Sequence, residues 1–259
     1  IQEKANLIWE IATHLYGEYK PHEYGKVILP MTVIKRFDDA LRDTKKDVVN
    51  KSNELNNSSK EVNDKTRHAI LKNVAKHDFY NTSKFDFAGL IADPDNIKEN
   101  FLSYLQSFSD NVKDIIQRFD FFKEIDKMSE NDLLYTIISE FNAKKADFSP
   151  SIVTAQDMGY IFEELIRKFS ESYDEQAGAH FTARDIIYLM TELLVVNDKE
   201  TLKVNGGSKT AYDMTMGTSQ MLTCLDERLK DINEAISLTC FGQEFNPETY
   251  AIAKADTLI

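Results

Sequence analysis

Residues 211–222 read AYDMTMGTSQML, and residues 240–254 read CFGQEFNPETYAIAK. The first run has the pattern of a strand ending in Asp213, a turn at Gly217 and a helix from about Gln220. The second has the pattern of a strand over residues 237–241 whose carboxyl end delivers Glu244. Strand, glycine turn, helix, strand and acid, in that order, suit a ligand held at the carboxyl edge of a parallel sheet. The expected unit is one half of an α/β fold that binds a nucleoside.

The loop narrows the ligand. A dinucleotide fingerprint needs G-x-G-x-x-G so that backbone amides can approach a pyrophosphate. Here Gly217 is followed by Thr218, Ser219 and Gln220, so that cradle is poorly supported. A P-loop is excluded, because no glycine–lysine–hydroxyl run exists. A phosphate-free cofactor needs none of these glycines, and S-adenosylmethionine is such a cofactor. Its ammonium and sulfonium are cationic, which suits Asp213 near the strand end. An ionised carboxylate only accepts, so Glu244 suits both ribose hydroxyls. An ordinary strand–turn–helix with a surface acid accounts for the same spacing equally well.

Asn246 and Pro247 read as an N-cap and a first helical residue, and a plain helix start explains both. In AGAHFTARD, Phe181 suits contact with an adenine or a methionine chain, and Thr182 suits a cofactor carboxylate. A capped helix with one core aromatic explains that segment more simply. His180 is a lone histidine, for which surface or structural roles outnumber catalytic ones.

Composition bounds the classes. With 259 residues and 42% hydrophobic content, the chain can bury a sizeable core. Its net charge of −12 is opposite to that of a free-standing nucleic-acid binder, which uses Lys and Arg to neutralise phosphates. If DNA is the substrate, a partner supplies much of the grip, or basic residues gather on one face. Cys224 and Cys240 lack the histidine spacing of a metal site and read as two buried thiols in a reducing cytoplasm. No run approaches the roughly 20 apolar residues of a membrane span. The opening IQEKANLIWEIATHLYG lacks the marks of a secretory signal.

Residues 1–148 are expected to be helical. Ile8, Ile11, Ala12 and Leu15 share one face. Gly17, Pro21 and Gly25 punctuate the next turn, and residues 27–41 read as a helix with Pro30 in its first turn. Residues 43–67 read as a solvated helix end and loop. Asp95, Ser109 and Ser129 are expected to cap three further helices. Around Pro150 lies the expected boundary, followed by a helix over 155–169 with Met158, Ile161, Phe162, Leu165, Ile166 and Phe169 on its apolar face. Thr182 is the expected N-cap of the next helix, with Ile186, Ile187, Met190, Leu193 and Leu194 as its buried face. NDKETLKVNGGSK, residues 197–209, reads as a loop.

Four segments together resemble the modification (M) subunits of type I restriction–modification systems, which are adenine-specific DNA methyltransferases. They are ANLIWEIATHLYGEYKPHEYGKVILPMTVIKRFDD, then GYIFEELIRKFSE with AGAHFTARDIIYLM, then AYDMTMGTSQML, and GQEFNPETYAIAKADTLI. The resemblance implies an α-helical N-terminal domain (1–148) and an incomplete Rossmann-like S-adenosylmethionine-dependent methyltransferase domain (149–259). It implies a cofactor-binding set of Phe181, Thr182, Asp213, Gly217, Thr218, Ser219, Glu244 and Asn246, and no metal. It further implies methyl transfer to the exocyclic amine of a flipped adenine in double-stranded DNA. The implied partners are a specificity (S) subunit, a second M subunit and a restriction (R) subunit.

The chain departs from the family pattern. Met214 stands where the loop usually has proline, Ser219 replaces its second glycine, and Ala183 follows Thr182 where proline is common. If position 219 needs positive φ, serine costs about 1 kcal/mol or more there. The family's Asn-Pro-Pro-aromatic motif does not occur in the sequence, because Asn246-Pro247 is followed by Glu248. That motif, and with it the catalytic residues, is expected beyond Ile259. The expectation is an early portion of a longer subunit, inactive by itself and carrying no catalytic residue. Two other classes stay open: a non-catalytic scaffold with a degenerate methyltransferase fold, and an adenosine-cofactor oxidoreductase.

Overall fold

Leu7, Ile8, Ile11 and Ala12 recur at helical spacing and form the buried stripe of α1 (Gln2–Thr13). The computed structural model describes residues 2–58, 62–171, 182–204 and 207–258. The first half continues with α2 (Tyr24–Ala40), α3 (Lys45–Asn56), α4 (Asp64–Ala75), α5 (Phe87–Ile91), α6 (Ile97–Gln106), α7 (Asp110–Arg118), α8 (Phe121–Glu130) and α9 (Leu134–Asn142).

Several boundaries differ from expectation, each for a local reason. A 3-10 turn, Pro21–Glu23, starts α2 early, so Gly25 is helical and Pro30 lies inside the helix rather than in its first turn. Residues 43–67 are mostly helical: α3 and α4 pack as a pair, and Arg67 donates to Ser52 Oγ at 3.2 Å and Asn56 Oδ1 at 2.6 Å. Cross-helix bonds of this kind replace the apolar periodicity that the segment lacks. Asp95 sits inside a 3-10 turn, while Asp93 accepts from Asn96 and Asn100. Ser109 occupies an N-cap position, but its hydroxyl donates to the Asn111 side chain and accepts the Tyr80 amide, and it caps no backbone amide of α7. Ser129 lies inside α8, and α9 starts at Leu134.

One charged cluster ties α2 to the segment after α9. Asp39, whose side chain is 1% exposed, accepts from Lys35 Nζ and Arg42 Nη2 at 2.6 Å each and from the Phe148 amide at 2.8 Å. Arg36 adds a bond to the Val153 carbonyl at 2.7 Å.

Then come α10 (Ala155–Glu171), α11 (Arg184–Val195), α12 (Lys199–Val204), β1 (Gly207–Asp213), α13 (Gln220–Ile232), β2 (Ile236–Gly242) and α14 (Pro247–Asp256). The two strands are parallel, with Gly207 opposite Ile236 and Asp213 opposite Gly242. Thus α12 occupies part of the expected loop at 197–209.

Buried side chains form two clusters. The larger joins α1–α9 to Met158, Ile161, Phe162, Leu165 and Phe169 of α10 and to Ala251, Ile252 and Ala255 of α14. The smaller joins Val195, Leu202, Leu225, Leu229 and Ile236. Cys224 is buried, but Cys240 is exposed, because it lies outside the cluster that covers Ile236 and Leu238. The expected apolar face of α11 is also corrected. Ile187, Thr191 and Val195 are buried, on the helix that packs against α13. Ile186, Met190, Leu193 and Leu194 are exposed, since no described element covers their side.

Candidate cofactor site

At the carboxyl end of β1, Asp213 Oδ1 accepts the Thr215 amide at 3.0 Å, which turns the chain out of the strand. Gly217 and Ser219 both take left-handed backbone, with φ of 55° and 71°. The Ser219 amide donates to the Met216 carbonyl at 2.7 Å and closes the turn just before α13. Ser219 is buried and its hydroxyl makes no cap bond to the helix.

The loop after β2 is laced to this turn. The Gln243 amide donates to the Asp213 carbonyl at 2.9 Å, and the Met216 amide donates to the Gln243 carbonyl at 2.8 Å. Glu244 completes the lacing: Oε2 accepts the Gly217 amide at 3.0 Å and Oε1 accepts the Asn246 amide at 2.7 Å. Asn246 Oδ1 in turn accepts the amides of Glu248 at 2.9 Å and Thr249 at 3.0 Å, capping α14. The two strand tips and their acids therefore form one hydrogen-bonded ledge.

Beside that ledge lies a cleft of about 210 Å³, lined by Glu163, Thr182, Ile187, Met190, Asp213, Thr215, Met216, Gly217, Thr218, Gln220 and Met221. Of the expected site residues, Thr182, Asp213, Gly217 and Thr218 meet there. Glu244 and Asn246 brace the loop from the β2 side, and Ser219 lies beneath it. Phe181 lies outside the described residues, and so does Ile259, the position beyond which the catalytic motif is expected. Thr182 is exposed and is not the N-cap of α11; Ala183 holds that position, without a side-chain acceptor.

A polar cluster behind the cleft was not expected from the sequence. Arg184 donates to Gln220 Oε1 at 2.7 Å and to Glu163 Oε2 at 3.3 Å, and stacks on the Tyr160 ring. Gln220 occupies the space beside Gly159 that any Cβ would fill. Burial pushes the Glu163 carboxyl up, and Arg184 opposes that shift. The available signal was Gly159 itself. A glycine inside an otherwise good helix costs about 1 kcal/mol relative to alanine, so it marks a close approach.

A two-stranded parallel unit with a glycine turn and an acid at each strand tip, following a helical N-terminal half, has the architecture of a truncated methyltransferase fold. Two families cover the chain: the HsdM N-terminal domain matches residues 4–141, and N-6 DNA Methylase matches residues 153–259. The chain belongs to the methylase (M) subunit family of type I restriction–modification enzymes. It is 24% identical to the type I restriction enzyme MjaIX methylase subunit of Methanocaldococcus jannaschii, over 99% of this chain and 45% of that protein. It is 20% identical to the HindI methylase subunit of Haemophilus influenzae, over 60% of this chain and 33% of that protein. The fold is similar to the crystal structure of the type I restriction–modification methyltransferase subunit from Streptococcus thermophilus. There the TM-score is 0.64 at 17% identity, over 99% of this chain and 55% of the other. The chain thus spans about half the length of the Methanocaldococcus jannaschii and Streptococcus thermophilus proteins, each of which it matches over 99% of its own residues.

Proposed function

We propose that this chain is the cofactor-binding part of an adenine-N6 DNA methyltransferase subunit that takes S-adenosylmethionine. The observation that carries the reading is the ledge. Two adjacent parallel strand tips are joined through the Gly217 amide and the Glu244 carboxylate, beside a cleft containing Asp213. Asp213 supplies negative potential toward a cationic amino-acid moiety. Glu244 uses one lone pair per oxygen on backbone amides, which leaves acceptor capacity for ribose hydroxyls. Thr182 and Thr218 offer hydroxyls in the same cleft, and Phe181 belongs to the same segment as Thr182.

We divide the chain into a helical domain at 1–148 and a methyltransferase portion at 149–259. Under this reading the residues that receive the target adenine belong to the part of the whole protein that this chain does not span. Methyl transfer to a flipped adenine, pairing with specificity, restriction and second modification subunits, and cytoplasmic residence likewise belong to the whole protein. No helix among the described residues is long and apolar enough to cross a membrane. The acidic net charge fits a subunit that leaves DNA sequence reading to a partner. Calorimetry on the full-length gene product tests the reading. Glu244→Ala should weaken S-adenosylmethionine binding about tenfold or more, the worth of one charge-assisted bidentate contact. Unchanged affinity removes Glu244 from the site.

A further inference from the structure

We propose that Glu163 is a second acid of the cofactor cleft, held in its wall by Arg184 and receiving the ammonium of the methionine moiety. The inference rests on the cofactor reading above and deepens it. Four observations support it. The described lining of the cleft carries two carboxylates, Asp213 and Glu163, and no cation. The other two acids at the ledge are already engaged in shaping it: Asp213 with the Thr215 amide, and Glu244 with the amides of Gly217 and Asn246. The Glu163 side chain is only 9% exposed, yet it reaches the cleft from α10, outside the strand–turn–helix unit.

The fourth observation is the poor match between Glu163 and its cation. Arg184 approaches at 3.3 Å through Nε while its Nη2 is spent on Gln220, and its Nη1 is buried without a hydrogen-bond partner among the described residues. A buried pair repays its desolvation only with excellent geometry and satisfied remaining atoms. A cluster that leaves a guanidinium donor unmatched is poor as a purely structural device. Among the described residues Glu163 itself accepts one hydrogen bond, through Oε2 at 3.3 Å, and so keeps acceptor capacity for a cation in the cleft. Of the two positive centres of S-adenosylmethionine, the ammonium donates hydrogen bonds and the sulfonium does not. A carboxylate in the wall therefore selects the ammonium.

The test measures binding of two ligands to the full-length gene product and its variants. S-adenosylmethionine carries the ammonium; 5′-methylthioadenosine keeps the nucleoside and lacks the amino-acid chain. Glu163→Gln should weaken S-adenosylmethionine about tenfold and leave 5′-methylthioadenosine unchanged. Arg184→Gln should retain binding at pH 8 and lose it toward pH 6 more steeply than the wild type, because Glu163 then takes up a proton more readily. Equal S-adenosylmethionine affinity in wild type and Glu163→Gln overturns the proposal and leaves the cofactor reading intact. Parallel loss of both ligands also overturns it, by reducing Glu163 to a structural role. Failure of the wild type to bind either ligand overturns the cofactor reading and this proposal together.

Discussion

Ser219 shows how much one backbone angle decides. Its φ of 71° is the left-handed region, where an L side chain crowds the following carbonyl. The hydroxyl caps nothing at α13, so nothing local offsets the strain. Ser219→Gly should raise stability by about 1 kcal/mol and leave cofactor affinity equal or better. Denaturant melts and calorimetry read both, and a marked loss of affinity would mean that the hydroxyl makes a needed contact. Ser219→Ala keeps the strain and should change stability little.

Asp256 offers a pH test at the same scale. Burial raises its carboxyl to about 7, against the pull of Arg36 and Arg184. A free aspartate titrates near 3.9, so the folded state holds this proton more tightly than the unfolded chain. Stability contributed by the protonated group is therefore full below about pH 4 and is lost as pH rises toward 7. The Asp256→Asn variant should match the wild type near pH 4.5. Above pH 7.5 it should exceed it, on the order of 2 kcal/mol, since the carboxylate keeps some solvent contact. A stability difference that does not change with pH would refute this assignment.

Among the elements, those with strong periodicity or turn chemistry were legible in the sequence. The end of β1 at Asp213, the start of α13 at Gln220 and the Asn246 cap of α14 all lie where the residues indicate. Elements stabilised mainly by partners were not. The α3–α4 pair and α12 are polar, and their buried residues are few: Val48 and Ser52, Leu71 and Ala75, and Leu202. Ser129 and Thr182 have cap chemistry but not cap positions, because packing of the adjacent helices moved the boundary by a few residues. The most consequential element contact is that between α2 and the backbone near residue 148. Asp39→Ala would strand Lys35 and the Phe148 amide in a buried site, and should destabilise the fold by about 3–5 kcal/mol. Urea unfolding measures this. A loss below about 1 kcal/mol would mean that the cluster is as replaceable as a surface pair.

On the scale of the whole molecule, α10 and α14 belong to the large core with α1–α9, although they flank the cofactor unit in sequence. Lys254 of α14 pairs with Asp114 of α7 at 2.6 Å, and Trp9 of α1 meets Phe169 of α10 at 5.6 Å between ring centroids. The ledge is thus mounted on the helical half rather than tethered to it. The outer side of α11 carries Leu189 at 58% and Leu193 at 63% exposure, beside Ile186, Met190 and Leu194. A contiguous apolar surface of this kind promotes association. In the 259-residue chain, replacing Leu189 and Leu193 together by Glu should raise solubility without lowering the melting temperature. Light scattering and thermal melts check this, and a fall in melting temperature would show that the two side chains are packed.

Local chemistry carried the helical character of the first half, the α/β unit near the end, and the acids and glycine at its strand tips. Each of these is written in spacing of a few residues, where backbone geometry leaves few choices. Packing across long sequence separations decided the rest. It set which acid faces the cleft, which side of α11 is covered, that Cys240 is open, and that Gln220 fills the space beside Gly159. Burial is a property of what lies on the other side of a residue, and no periodicity within one helix records that.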